Sequence, residues 1–290
     1  MAFQEAMRAS GVFLAADAHI TPDGQLHRAR AADDKAGALS IWYNFHPDAP
    51  CSGVAGNWRT GARLTWCSKR LSALTASERE TLRRRIEQDR RRAQAETERR
   101  HKEAASRALR VWNDSSPANP SHAYLLKKQI GPGIARQSGG NLILPVTDFA
   151  GQLWGLQFID GQGGKRFISG MAKAGHFIPS GGTPDGTRPL WIAEGHATAS
   201  TLSALQPGAV VIAACDAGNL AAVATQGRSR WPGLEIVIAA DADPVGMEKA
   251  KAAAVASRAK WIWPRFPADA PQGLTDFNDW ACWRKGGVAC

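Results

Sequence analysis

From about residue 188 to the C-terminus the chain repeats one hydrophobic pattern: a short unbroken apolar run, a turn, then a longer helix-compatible stretch. "LWIAEG" leads into "HATASTLSALQ", "AVVIAA" into "AGNLAAVATQ" and "EIVIAA" into "MEKAKAAAVASRA", with "KWIWP" as a last apolar run. Strands without polar alternation are covered on both faces, and strands separated by helices connect through right-handed crossovers. A parallel sheet flanked by helices is therefore expected over residues 188–290.

The earlier chain reads differently. In "NLILPVTDFAGQLWGLQFIDGQGGKRFISG" the apolar runs are broken by turns at 148–151 and 160–164, giving strand, turn, strand, turn, strand within a small basic α+β part over 121–187. The turn-rich "NDSSPANPSH" before it marks a linker. Residues 75–112 contain neither Gly nor Pro, and Thr75 with Glu78 forms a capping-box signature, so one long helix, or two with a soft joint, is expected. Its arginines outnumber its large apolar residues but are interleaved with acids. A solvated face of Glu/Arg pairs and a nucleic-acid contact both remain open. Residues 1–74 form a small Trp-rich β module, in which Trp42, Tyr43, Trp58 and Trp66 are either core or a stacking platform for bases. The fold class is mixed α/β, in four parts: 1–74, 75–120, 121–187 and 188–290.

Composition adds a direction. With 290 residues and 44% hydrophobic content the chain can bury a sizeable core, and its net charge of +10 favours a polyanionic partner. No apolar run approaches the roughly 18 residues of a spanning helix, and no signal-peptide pattern opens the chain. A cytoplasmic location without a membrane partner is expected. Five scattered cysteines without a CxxC pair support neither a disulfide framework nor a zinc ribbon. His46, Cys51 and Cys67 could contribute ligands to one metal, against the reading of ordinary core or surface groups.

Open parallel sheets gather ligands at the carboxyl ends of their strands. Glu194, Asp216, Asp241 and Asp243 each follow an apolar run, and Asp276 and Asp279 in "LTDFNDW" follow the last one. Asp241 and Asp243 could simply cap the next helix. Taken together, however, converging carboxylates repel and raise their own pKa values unless a cation neutralises them, and Mg²⁺ or Mn²⁺ suits hard oxygen ligands.

The segments "WIAEGHATASTL", "IVIAADADPVGMEKA" and "LTDFNDW" resemble the TOPRIM domain of bacterial-type primases, topoisomerases and certain nucleases. The preceding "YLLKKQIGP", "NLILPVTDFAGQLWGLQFI" and "GGKRFISGMAKAGHFIPSG" are similar to the basic subdomain of DnaG-like primases of plasmids and phages. The resemblance implies catalytic, metal-linked roles for Glu194, Asp241 and Asp243, with Asp276 and Asp279 as further metal-binding acids. It also implies nucleotide or template contacts for Lys165, Arg166, Lys127 and Lys128. Thr198 stands where cellular primases carry another acid, and no zinc module opens the chain, so no zinc is expected.

What the resemblance implies is a DNA primase: a nucleotidyltransferase joining ribonucleoside triphosphates into short RNA primers on single-stranded DNA. No GxxxxGK[ST] pattern occurs, so a replicative helicase would be a separate chain. A TOPRIM nuclease and a non-catalytic nucleic-acid-binding replication protein are the alternatives. A topoisomerase needs a tyrosine nucleophile, and only Tyr43 and Tyr124 exist, both upstream of the acids.

Overall fold

The computed structural model of the chain describes residues 2–286. They form two compact units that divide within one long helix, between Thr97 and Glu98. In the first unit, α1 (Ala2–Ala9) precedes an antiparallel sheet of β1 (His27–Ala29), β2 (Ile41–His46), β3 (Ser52–Asn57) and β4 (Arg63–Cys67), paired in sequential order. Side chains alternate across a strand, so Ile41, Tyr43 and Phe45 share one face with Ala55 and Trp66, and Phe3 and Met7 of α1 close over them. The Phe3 ring stacks on Phe45 at 4.8 Å and fills the space that a side chain at Gly53 would need. The aromatic residues therefore divide. Tyr43 and Trp66 belong to the core, whereas Trp42 and Trp58 lie together on the opposite face.

Helix α2 (Ala76–Asn113) is continuous. It begins with the expected capping box: Thr75 Oγ1 accepts from the Glu78 amide at 3.2 Å, and Glu78 Oε2 from the Thr75 amide at 2.9 Å. Exposed pairs such as Arg84–Glu80 and Arg91–Glu87 lace its surface at helical spacing. Within the first unit Arg85 donates to the carbonyls of Asp48 and Pro50, and His46 Nε2 lies 2.8 Å from Asp89 Oδ2. His46 is thus engaged by a carboxylate from the helix, while the Cys51 thiol donates to the Pro47 carbonyl.

The second unit starts with the remainder of α2, which buries Ala104 and Ala108. Beside it lies a sheet of β5 (Ser116–Pro117), β6 (Arg136–Ser138), β7 (Asn141–Thr147), β8 (Leu153–Ile159) and β9 (Lys165–Phe167), all antiparallel, with α3 (Ala123–Lys128) between β5 and β6. The turn-rich stretch after α2 is no free linker: Ser116–Pro117 pair with β6, and Arg136 Nη1 donates to the carbonyls of Trp112 and Ser115. Both expected turns are built on an aspartate, Asp148 Oδ1 accepting from Ala150 and Gln152 and Asp160 Oδ1 from Gln162 and Gly164. Alternation along β7 sends Ile143 toward Ala108 of α2, and Leu142, Leu144 and Val146 to the opposite face. There they meet Tyr124 and Leu125 of α3 and the second sheet.

That sheet contains β10 (Ile178–Gly181), β11 (Leu190–Ala193), β12 (Val210–Ala213), β13 (Ile236–Ala239) and β14 (Lys260–Ile262), in the order β10-β12-β11-β13-β14. Four strands are parallel, and they coincide with the four apolar runs. The expected parallel sheet is present, and it gains one antiparallel strand at an edge: β10, from sequence ahead of residue 188, adds to β12. Helices α5 (Leu220–Arg230) and α6 (Pro244–Ser257) cover Leu190, Ile192, Val210, Ile212, Ile236 and Ile238 on one face. On the other face α4 (His196–Leu205) and strands β7 and β8 cover Ala193, Val211, Ala213 and Ala239. Each fully buried Ile or Leu here contributes about 1.5–3 kcal/mol, which is why these runs tolerate no polar alternation. Helix α7 (Phe277–Arg284) packs on α4. No helix among the described residues is long and apolar enough to cross a membrane.

Candidate functional site

Register determines which acids meet. Ala193 of the central strand β11 lies opposite Ala213 of β12 on one side and Ala239 of β13 on the other. Glu194, Asp216 and Asp241 follow those alanines by one to three residues, so all leave the sheet at the same edge. A hydrogen bond from the Ala242 amide to the Thr275 carbonyl, 2.6 Å long, draws the "TDFND" segment to that edge as well.

The two aspartates that follow β13 have different tasks. Asp243 does cap α6: its Oδ1 accepts from the amides of Val245 and Gly246, both at 2.9 Å, and Pro244 occupies the first helical position. Asp241 caps nothing, and its buried Oδ1 has no hydrogen-bond partner within the protein. Burial, reinforced by the nearby carboxylates of Glu194, Asp276 and Asp243, pushes the Asp241 carboxyl up to about 8, against an opposing pull from Lys165. Glu194 is raised too, by burial first and then by Asp243 and Asp216.

A buried, unpartnered carboxylate oxygen among like charges suits a cation, so these residues fit a divalent metal. Among the described residues no group of three His, Cys, Asp or Glu side chains is placed to hold a metal ion by itself. Mg²⁺ does not require one, since it is held by one or two carboxylates and completes its shell with waters and phosphate oxygens.

The later acids behave unequally. Asp276 and Asp279 form a capping box at the start of α7: Asp276 Oδ1 accepts from Asn278 and Asp279, and Asp279 Oδ2 from Thr275 and Asp276. Asp276 still acts electrostatically on Asp241, and so belongs to the cluster. Asp279 is buried, bonded to backbone amides and 3.6 Å from Lys128 Nζ. Lys128 is the partner in that ion pair, while Lys127 is exposed on the last turn of α3.

Of the basic pair on β9, the structure brings only Lys165 to the acids. Its Nζ lies 3.8 Å from the position a side chain would occupy at Gly195, next to Glu194, and it favours the charged forms of both Glu194 and Asp241. Arg166 points from the opposite face of the strand and stacks on Phe158 at 4.8 Å. Strand alternation in "KRF" already carried that signal.

Other contributors were not singled out from sequence. Lys173 forms an ion pair with Asp216. Its loop is held by the buried Asn219, whose amide nitrogen donates to the carbonyls of Lys173, His176 and Ala214 and whose oxygen accepts from the Gly175 amide. Cys215, between the end of β12 and Asp216, adopts a φ of 76°, a strained backbone for a non-glycine residue. The Tyr124 hydroxyl is buried without a partner, and burial with the charge of Asp276 pushes it up to about 12.

Gly246 is required by the turn that aims Asp241: a Cβ there would stand 2.8 Å from the Asp241 carbonyl oxygen. Gly246→Ala is expected to shift Asp241 and to lower any metal-dependent turnover roughly 10–100-fold. Rate assays alongside thermal melts would show a loss of rate much larger than the loss of stability.

Residues 189–287 match a family described as Toprim domain. Two Escherichia coli proteins, each named DNA primase TraC, are similar along nearly all of the chain. One is 34% identical over 285 residues, covering 92% of this chain and 20% of its own length. The other is 33% identical over 279 residues, covering 91% of this chain and 26% of its own. This chain thus spans about a fifth to a quarter of those relatives. A solved primase fragment of the bacteriophage T7 primase-helicase protein superposes with a TM-score of 0.44 at 14% identity, over 60% of this chain and 72% of that one.

Proposed function

We propose that this chain, whose C-terminal third is a Toprim domain and which is homologous over nine-tenths of its length to part of two DNA primases, is itself a DNA primase of plasmid or phage type. It would join ribonucleoside triphosphates on a single-stranded DNA template. The observation carrying the reading is the cluster of Glu194, Asp241, Asp243 and Asp276 at one sheet edge, with Lys165 beside it. Glu194 and Asp241, with Asp243, would hold Mg²⁺ or Mn²⁺. When bound, such an ion screens the triphosphate and stabilises charge on the attacking and leaving oxygens.

The protein's own groups do the rest. Lys165 supplies a mobile point charge for phosphate oxygens. Lys173 lies on the same rim, paired with Asp216 and with its Nζ 5.8 Å from the Phe167 ring centroid. Asp243 ties the metal seat to the start of α6, so the carboxylates stay in place without substrate. A tyrosine-linked topoisomerase reaction is disfavoured, because Tyr43 and Tyr124 are each only 2% exposed. A replicative helicase would act as a partner.

The decisive experiment supplies single-stranded DNA, labelled ribonucleotides and Mg²⁺ or Mn²⁺ to the protein and to an Asp241→Ala/Asp243→Ala variant. Short RNA products that vanish in the variant are expected. Shortened DNA without new RNA would identify a nuclease instead, and neither product would leave only a binding role.

A further inference from the structure

We infer that the outer face of the N-terminal sheet is a second binding surface for single-stranded nucleic acid, separate from the acidic edge. One cross-strand row runs Arg28, Trp42, Gly56, Arg63, each paired in register with the next, so all four positions share the face opposite Phe3 and Met7. Gly56 is the reason the row is flat. A Cβ there would come within 2.6 Å of the Trp42 indole, which lies across the strand in the space the glycine leaves.

Trp58 continues the platform, with its ring centroid 5.7 Å from that of Trp42 and the Arg28 guanidinium 5.2 Å above it. Despite both neighbours, Trp58 is 57% exposed. Large aromatic rings held open on a rigid sheet beside guanidinium groups are the chemistry that takes unpaired bases: the rings stack on any base and the cations meet the phosphates.

The charge around the rings agrees. Asp33 and Asp34 line the same depression as Trp58, and Arg59 forms ion pairs with both. The Asp34 carboxylate is also fully covered, and accepts from the Ala31 and Ser40 amides and the Ser40 hydroxyl. Neither Arg28 nor Arg63 has an acidic partner among the described residues, so the face keeps unneutralised positive charge next to the exposed Trp58 indole. A paired duplex hides its base faces and gains nothing from this arrangement.

The test uses the full-length protein in EDTA, so that metal-dependent binding at the acidic edge does not contribute. Fluorescence anisotropy compares a labelled oligo(dT) with a duplex of equal length, for the wild type, Trp58→Ala and Trp58→Phe. Trp58→Ala is expected to weaken oligo(dT) binding about five-fold or more, Trp58→Phe to restore most of it, and duplex binding to stay unchanged. Photo-crosslinking of an iodouridine oligonucleotide should mark the peptide containing Trp58. Unchanged oligo(dT) affinity in Trp58→Ala, as expected if the face docks a protein, or equal losses for duplex and single strand, would overturn the inference. Primer synthesis at saturating template reads the acidic edge independently, so failure here is distinguishable from failure of the primase reading.

Discussion

An Asp241→Asn variant is expected to lose template-directed synthesis by about 100-fold or more while becoming more stable than the wild type in the absence of metal. The first effect follows from removing a charge at the proposed metal seat. The second follows from what that charge costs the empty protein. Burial and the neighbouring Glu194, Asp276 and Asp243 raise the Asp241 carboxyl from 3.8 to about 8, so between those values the folded state holds a proton that the unfolded state releases. Stability from this group is fully present below about pH 4 and is lost as pH rises toward 8.

At pH 8 in EDTA the amide, which never ionises, should therefore be favoured by about 2–4 kcal/mol. Mg²⁺ should reverse the order, because only the wild type gains stability from a ligand bound to the native state. Thermal melts at pH 6 and pH 8, with and without Mg²⁺, measure all of this. A variant that is less stable at pH 8 in EDTA would contradict the assignment of Asp241 as the strained metal seat.

Replacing Asn219 with alanine should produce the largest loss of stability outside the apolar core. Four hydrogen bonds between 2.8 and 3.0 Å converge on this one buried amide, joining the loop at residues 173–176 to the end of β12. Alanine leaves three carbonyls and one N–H facing a protein interior, and the expected cost is about 2–4 kcal/mol, read as a melting temperature lower by roughly 5–15 °C. Asn219→Asp should be at least as damaging, because a carboxylate facing three carbonyl oxygens has no proton to donate. That comparison separates hydrogen bonding from shape. Since Lys173 leaves this loop to pair with Asp216, nucleotide KM should rise in any Asn219 variant that still folds. An unchanged KM would mean that Lys173 stands aside from the substrate.

Some of the site was legible in the chain because the relevant signals are local. Thr75 and Glu78 sit three residues apart ahead of a charged helix, and they cap it. The apolar runs at residues 190–193, 210–213 and 236–239 are strands because only two-sided burial rewards continuous hydrophobicity, and an acid placed after such a run emerges at the ligand-binding edge. Two further outcomes were present in the sequence but outweighed. The Asp-x-x-Asp at 276–279 has capping-box spacing, and it caps α7. In "KRF" neighbouring residues must face opposite ways, and Lys165 and Arg166 leave the strand on opposite faces.

The tertiary structure decided what depends on distant partners. The register of Ala193 against Ala213 and Ala239 brings Glu194, Asp216 and Asp241 together, and no local pattern states a register. The antiparallel addition of β10 and the division of Trp42 and Trp58 from Tyr43 and Trp66 likewise depend on which face or edge a remote segment covers. The sequence by itself determined the strands, the caps and the kind of chemistry at the strand ends, because periodicity and capping act within a few residues. Only the folded chain decided which charges share a site and which are used in holding a helix, because pairing and burial are settled between segments far apart in sequence.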